Sequence, residues 1–118
     1  MSAVVSRENP LHHYLWGDHC DGWNLVDAAD LSVKMEKMPA HTAEREHYHA
    51  FARQFFFILE GVAVFETSGG RIEVSAKQGL EIPPGLRHQI KNESEEDLVF
   101  LLCSQPSTKN DRIELRNR

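Results

Sequence analysis

An all-β sandwich or barrel is the fold class that the sequence predicts, and three observations predict it. Apolar residues recur in short runs, several of them alternating with polar ones, as in Leu31, Val33 and Met35. Turn signals separate the runs at roughly the spacing of eight to twelve residues typical of such folds. Gly69-Gly70 and Pro83-Pro84-Gly85 each demand a tight turn and forbid a helix through them.

The elements follow in order. Residues 1–30 mix Pro10, Gly17 and Gly22 with several Asp and His, and read as irregular or edge structure. Leu31, Val33 and Met35 alternate with Ser32, Lys34 and Glu36, a half-buried strand with its apolar residues on the core side, which Pro39 ends. Phe55 to Leu59 and Val62 to Phe65 are apolar runs broken by Glu60-Gly61, and Phe55, Phe56 and Phe57 are expected mostly in the core. Gly69-Gly70 closes a hairpin, with Ile72 and Val74 alternating beyond it. Leu80 to Ile82 is a short strand, Leu86, His88 and Ile90 share one face of the next, and Leu98 to Cys103 is a buried strand. Asn92 to Asp97 is a turn, with Asn92 organising it. After Pro106 the chain carries Lys109, Arg112, Arg116 and Arg118 and reads as a solvated end. From Thr42 to Gly61 local propensity favours helix, with Phe51, Phe55, Ile58 and Leu59 at helical spacing.

Composition narrows the function. A chain of 118 residues is the size of one domain. A formal net charge of −5 opposes nucleic-acid binding through the overall field. The apolar runs, Phe55 to Leu59 and Leu98 to Cys103 among them, are far short of the roughly 20 residues of a membrane-spanning helix, and no membrane association is expected. Met1 to Pro10 shows no basic start followed by an apolar stretch, so a cytoplasmic location is expected. Cys20 and Cys103 form at most one bridge and are expected as buried reduced thiols.

His47-Tyr48-His49 carries the chemistry. On a strand, residues two apart leave the same face, so both imidazoles could meet one ion. On a helix they would diverge by about 200°. Gln54 offers a neutral carbonyl oxygen five residues after His49, and His88 lies on a strand-like segment with a matching apolar face. Nitrogen ligands with one oxygen suit a divalent transition metal, Fe, Ni, Zn, Mn or Cu, better than calcium. Arg45 shares the phase of the His pair and could meet an anion, while Tyr48 points the other way to pack. His12, His13 and His19 are expected at the surface or an interface.

The spacing resembles a family. His47-x-His49-x4-Gln54-x6-Gly61 looks like the first cupin motif, in which a Glu stands at the Gln54 position. Pro83-x-Gly85-x2-His88-x3-Asn92 is similar to the core of the second cupin motif, and the resemblance covers about residues 31 to 103. It implies a double-stranded β-helix (jelly-roll) barrel over 31–103, within a single domain 1–118 whose residues 104–118 form a polar tail. It implies too that residues 42–54 are strand rather than helix, and that His47, His49, Gln54 and His88 hold one divalent metal inside one barrel end. Small cupins commonly pair, so a homodimer is expected.

Three departures stand out. Gln54 replaces the acidic ligand, as in cupin subgroups with three His and one Gln that include enzymes opening or isomerising unsaturated sugar acids. His41 replaces the glycine that opens the first motif, which places an extra imidazole near the barrel mouth, and Gly79 lies closer to Pro83 than the pattern has it. Four uncharged ligands leave the ion its full charge, which favours an anionic or enolisable oxygen. The expected function is a metal-dependent enzyme of isomerase, lyase or dioxygenase type, acting on a small oxygen-rich metabolite. A non-catalytic cupin that binds a metal or small ligand, as a sensor or accessory protein, is the alternative. No acid or base residue is assignable from the sequence.

Overall fold

The computed structural model of the protein describes residues 3–115, and those residues form strands and loops without a helix. In chain order the strands are β1 (His12–Trp16), β2 (Cys20–Asp27), β3 (Ser32–Met38), β4 (Thr42–Ala43), β5 (His47–His49) and β6 (Arg53–Glu60). They continue with β7 (Val62–Thr67), β8 (Gly70–Ser75), β9 (Gly79–Ile82), β10 (His88–Asn92), β11 (Leu98–Gln105) and β12 (Arg112–Glu114). One sheet runs β1-β2-β3-β11-β6-β9 and the other β12-β5-β10-β7-β8, with β4 beside β10. Non-consecutive neighbours such as β3 and β11, or β5 and β10, give the jelly-roll its crossovers. Arg116 and Arg118 lie outside the described residues.

Alternation places the core. Phe56 and Ile58 of β6, Phe65 of β7, Ile90 of β10 and Phe100 of β11 meet between the sheets. The Phe56 ring stands 5.0 Å from Phe65 and 5.6 Å from Phe100, centroid to centroid. Burying each such side chain stabilises the fold by roughly 1.5–3 kcal/mol.

The structure corrects four readings of the sequence. The helical spacing over Thr42 to Gly61 has no counterpart, because β6 is paired with β11 on one side and β9 on the other. Ladder pairing and burial of Phe56 and Ile58 override local propensity there, and Phe51 and Phe55 of the supposed helical face are exposed. In β3 the polar residues turn inward: Ser32 and Glu36 are buried, while Val33 and Met35 are only half-buried on the outer face. Phe55 and Phe57 likewise face outward, leaving Phe56 as the core member of that run. Within residues 1–30, β1 is an edge strand but β2 is an interior one, and the tail contributes β12. β12 gives little signal in the sequence because three residues with one apolar member, Ile113, are too few to establish a period.

The turn before β10 is set by Gly85, whose φ of +82° suits glycine and few other residues. Its N–H donates to the His49 carbonyl at 2.7 Å, which ties the Pro83-Pro84-Gly85 turn to β5. Asn92, fully buried, ends β10 as expected: its Nδ2 donates to the carbonyls of Met38 and Glu96, and its Oδ1 accepts from the Ser94 N–H. Cys20 is buried, Cys103 half-buried, and neither is bridged.

Candidate metal centre

His47 and His49 leave the same face of β5, and His88 stands opposite His47 in the β5–β10 ladder. Ring centroids are 4.9 Å apart for His47 and His49, 4.3 Å for His47 and His88, and 5.9 Å for His49 and His88. One nitrogen from each ring lies within 4.8 Å of the other two, and all three residues are buried. The three histidines are therefore placed to hold a metal ion.

Their tautomers are fixed by the backbone. His47 Nδ1 donates to the Arg45 carbonyl at 2.9 Å, and His88 Nδ1 donates to the Leu86 carbonyl at 2.9 Å. His49 Nδ1 donates to the Asp111 carbonyl at 3.2 Å. Each Nε2 therefore carries the ring's lone pair. Burial, then the Arg112 guanidinium, pushes His47 down to about 3. Burial, then His88, pushes His49 down to about 4, and burial lowers His88 as well. All three are neutral at pH 7, the form that binds metal.

Gln54 stands on β6, paired with Ser104 of β11. Its Nε2 donates to Ser104 Oγ at 3.2 Å, and its Oε1 is buried without a donor. His88 Nε2 is buried without a partner too. Both orphaned atoms present lone pairs, and a buried lone pair without a donor is costly. A cation satisfies such atoms and an anion does not, so the donor set fits a divalent ion.

A cavity of about 220 Å³ opens beside these residues, lined by His47, His49 and Gln54 with Tyr14, Glu36, Glu44 and Arg112. Tyr14 Oη donates to Glu36 Oε2 at 2.5 Å. The ladder explains the contact: Tyr14 pairs with Gly22, and Gly22 with Glu36, in three adjacent strands. A Cβ on Gly22 would lie 2.1 Å from Tyr14 Cζ, so the ring rests on a position that only glycine leaves open. Burial raises the Glu36 carboxyl, against the Tyr14 hydrogen bond, and burial followed by the Glu36 charge raises the Tyr14 hydroxyl. Glu44 Oε2 accepts the Ile90 N–H at 3.1 Å, and burial, opposed by Arg112, pushes Glu44 up to about 8. A larger hollow of about 460 Å³ lies beside Leu31, Phe55, Glu81 and Cys103. Its charged groups, Arg53 and Glu81, pair with each other at 3.7 Å, and none of the three histidines lines it.

Other candidates fall away from the site. Arg45 is 80% exposed, 3.8 Å from Glu114, and only its carbonyl serves the site. His41 pairs with Glu95 beside the Asn92 end of β10, away from His88. Tyr48 pairs with Ile113 in the β5–β12 ladder. His12, His13 and His19 are exposed.

A jelly-roll barrel with three buried imidazoles converging at one end defines a class of small metal-competent β-barrels. A family model of the cupin domain matches residues 34–104, and the chain belongs to the cupin family. It is 36% identical over 59 residues to the polyketide synthase CurC of Streptomyces cyaneus, a match covering 48% of this chain and 38% of that relative. The chain thus spans little over a third of the length of that curated relative. The polyketide cyclase RemF of Streptomyces resistomycificus superposes with a TM-score of 0.79 at 16% identity, covering 100% of this chain and 88% of that one. A cupin-superfamily sugar phosphate isomerase of Silicibacter pomeroyi gives 0.77 at 16% identity, covering 89% and 76%. At such identities these structures share the fold.

Sequence reasoning missed Tyr14, Glu36, Glu44, Asp111 and Arg112. For Glu36 a signal existed: its strand alternates, and the polar phase was the inner one. Tyr14, Asp111 and Arg112 lie outside residues 34–104, where no cupin motif points to them.

Proposed function

We propose that this cupin is a metal-dependent enzyme acting on a small oxygen-rich metabolite with an enolisable carbonyl, by isomerisation or cyclisation. His47, His49, His88 and the amide oxygen of Gln54 hold one divalent transition ion. The pair of buried lone pairs without donors, Gln54 Oε1 and His88 Nε2, carries this reading. A bound ion supplies Lewis acidity that polarises a carbonyl and acidifies its neighbouring C–H. Glu36, buried and bonded by Tyr14, is the group that takes that proton and returns one to an adjacent atom, and exchange with solvent while Glu36 holds the proton carries deuterium into the product. Glu44 holds a second exchangeable proton beside Arg112. The isomerase and cyclase among the structural neighbours support such chemistry on this fold. A homodimer in the cytoplasm is part of the same proposal, with exposed Leu31 and Phe55 offering a second copy an apolar face.

The test combines metal analysis with a deuterium-exchange screen of α-hydroxy ketones, keto acids and unsaturated sugar acids by proton NMR. About one ion per chain and exchange at a carbon next to a carbonyl are expected. Ion binding without exchange or turnover on any compound would leave a binding module, and a preparation that takes up no ion would overturn the metal reading itself.

A further inference from the structure

Asp111 and Arg112 enter the site from the chain's C-terminal segment. The Asp111 side chain is buried and accepts three consecutive backbone N–H groups, from Ala50 at 3.0 Å, Phe51 at 3.1 Å and Ala52 at 2.9 Å. Those residues join β5 to β6, the stretch between His49 and Gln54. The Asp111 carbonyl also accepts from His49 Nδ1. One residue thus holds both the ring of His49 and the turn that follows it.

Arg112 reaches the other imidazole. Its Nη1 lies 3.4 Å from His47 Nε2, and because His47 Nδ1 already donates to Arg45, the guanidinium is the donor in this contact. An imidazole nitrogen has one in-plane lone pair, and it cannot serve a guanidinium and a metal ion together. Glu114 Oε2, 3.1 Å from Arg112 Nε, and Glu44 Oε1, 3.7 Å from Nη1, stand ready to keep the cation if it releases His47.

We propose that Asp111 and Arg112 are opposed positioning residues of the metal centre. Asp111 holds His49 and the 50–52 turn in ligating position, whereas Arg112 occupies the His47 lone pair until an ion displaces it. This rests on the metal reading above. It predicts effects of opposite sign from neighbouring residues, which a merely structural role of the segment would not produce.

The experiment titrates Zn²⁺ alone, against a chelator, into the full-length metal-free protein and its variants, with the Co²⁺ absorption spectrum as a second readout. Asp111→Ala should weaken Zn²⁺ by about ten- to a hundredfold and shift the Co²⁺ bands, because the carboxylate that ties down the 50–52 turn, and with it the carbonyl behind His49, is lost. Asp111→Asn, which keeps one acceptor oxygen, should weaken it less and carries the test if the alanine variant does not fold. Arg112→Ala should tighten Zn²⁺ about tenfold, by removing a competitor and a positive charge beside the dication. Arg112→Lys, which keeps the charge, should stay near wild type. Arg112→Ala binding no more tightly than wild type, or Asp111→Asn binding equally well, would overturn the inference while leaving the metal centre. A wild-type protein that binds no Zn²⁺ would remove both.

Discussion

Gln54 decides how much of the ion's charge the protein neutralises. In the proposed site of three neutral imidazoles and an amide oxygen, the answer is none. Gln54→Glu places one negative charge beside the dication, so Zn²⁺ should bind about tenfold more tightly, while turnover of an anionic or enolisable substrate falls. The substitution also requires the Ser104 hydroxyl to change from acceptor of the Gln54 amide to donor, which its free rotation permits. Gln54→Ala should weaken the ion instead. Chelator competition checks both, and equal affinities across the three proteins would show a site made of histidines alone. The motif spacing that singles out Gln54 was legible in the sequence because two short motifs carry it. Its orphaned Oε1 was not, because burial depends on Ser104 in a strand some fifty residues away.

At the scale of the element, the β1-β2-β3 ladder is the feature with most at stake. Gly22 leaves the space in which the Tyr14 ring lies, and the ring carries its hydroxyl across to Glu36 on the third strand. Gly22→Ala should displace the ring and break that hydrogen bond, costing about 1–3 kcal/mol, the range for overpacking. Tyr14→Phe keeps the ring and removes only the donor, at a cost of about 1–3 kcal/mol for a buried carboxyl left without its partner. Denaturant unfolding measures both, and a Gly22→Ala variant as stable as wild type would mean the ring does not depend on the glycine. The strands from β3 to β11 were largely visible as alternation and turns. Which face of β3 lay inward was not, since a strand lining a polar cavity inverts the usual rule of apolar residues inside. β1 and β12 were hidden for another reason: their pairing, not their composition, makes them strands.

For the whole molecule, the buried titratable groups set how stability varies with pH in the absence of metal. His47 and His49 fold with values of about 3 and 4, against an ordinary 6.5. The unfolded chain therefore binds protons first, so their contribution is complete above pH 6.5 and is lost as the pH falls toward 4 and 3. Glu44 works in the opposite sense. Its value rises from 4.5 to about 8, so its contribution is complete below pH 4.5 and is lost as the pH climbs through 8. Between pH 4.5 and 6.5 three histidines, His88 included, outweigh two glutamates, Glu36 included, and stability climbs. Above pH 6.5 the histidines add nothing further, the raised carboxyls Glu44 and Glu36 act in the other direction, and stability declines, which puts the maximum close to the ordinary histidine value of 6.5. Thermal midpoints of the metal-free protein from pH 4 to 9 should trace this dome, and Glu44→Gln should flatten its alkaline limb. A wild-type midpoint that holds level from pH 6.5 to 9 would contradict it.

Tyr14 and Arg112 belong to strands near opposite ends of the chain, yet they line one cavity, and Leu115 is bonded to Glu46 next to His47. This bears on how the protein is made at the bench. A polyhistidine tag fused within a few residues of Leu115 would lie within reach of the ion it is meant to be counted against. Its imidazoles would compete with His47 and His49 for the same ion, and ion-to-chain ratios measured on such material would describe the tag as much as the barrel. A tag placed away from this segment, and removed before the ion is measured, keeps the count a property of the cupin.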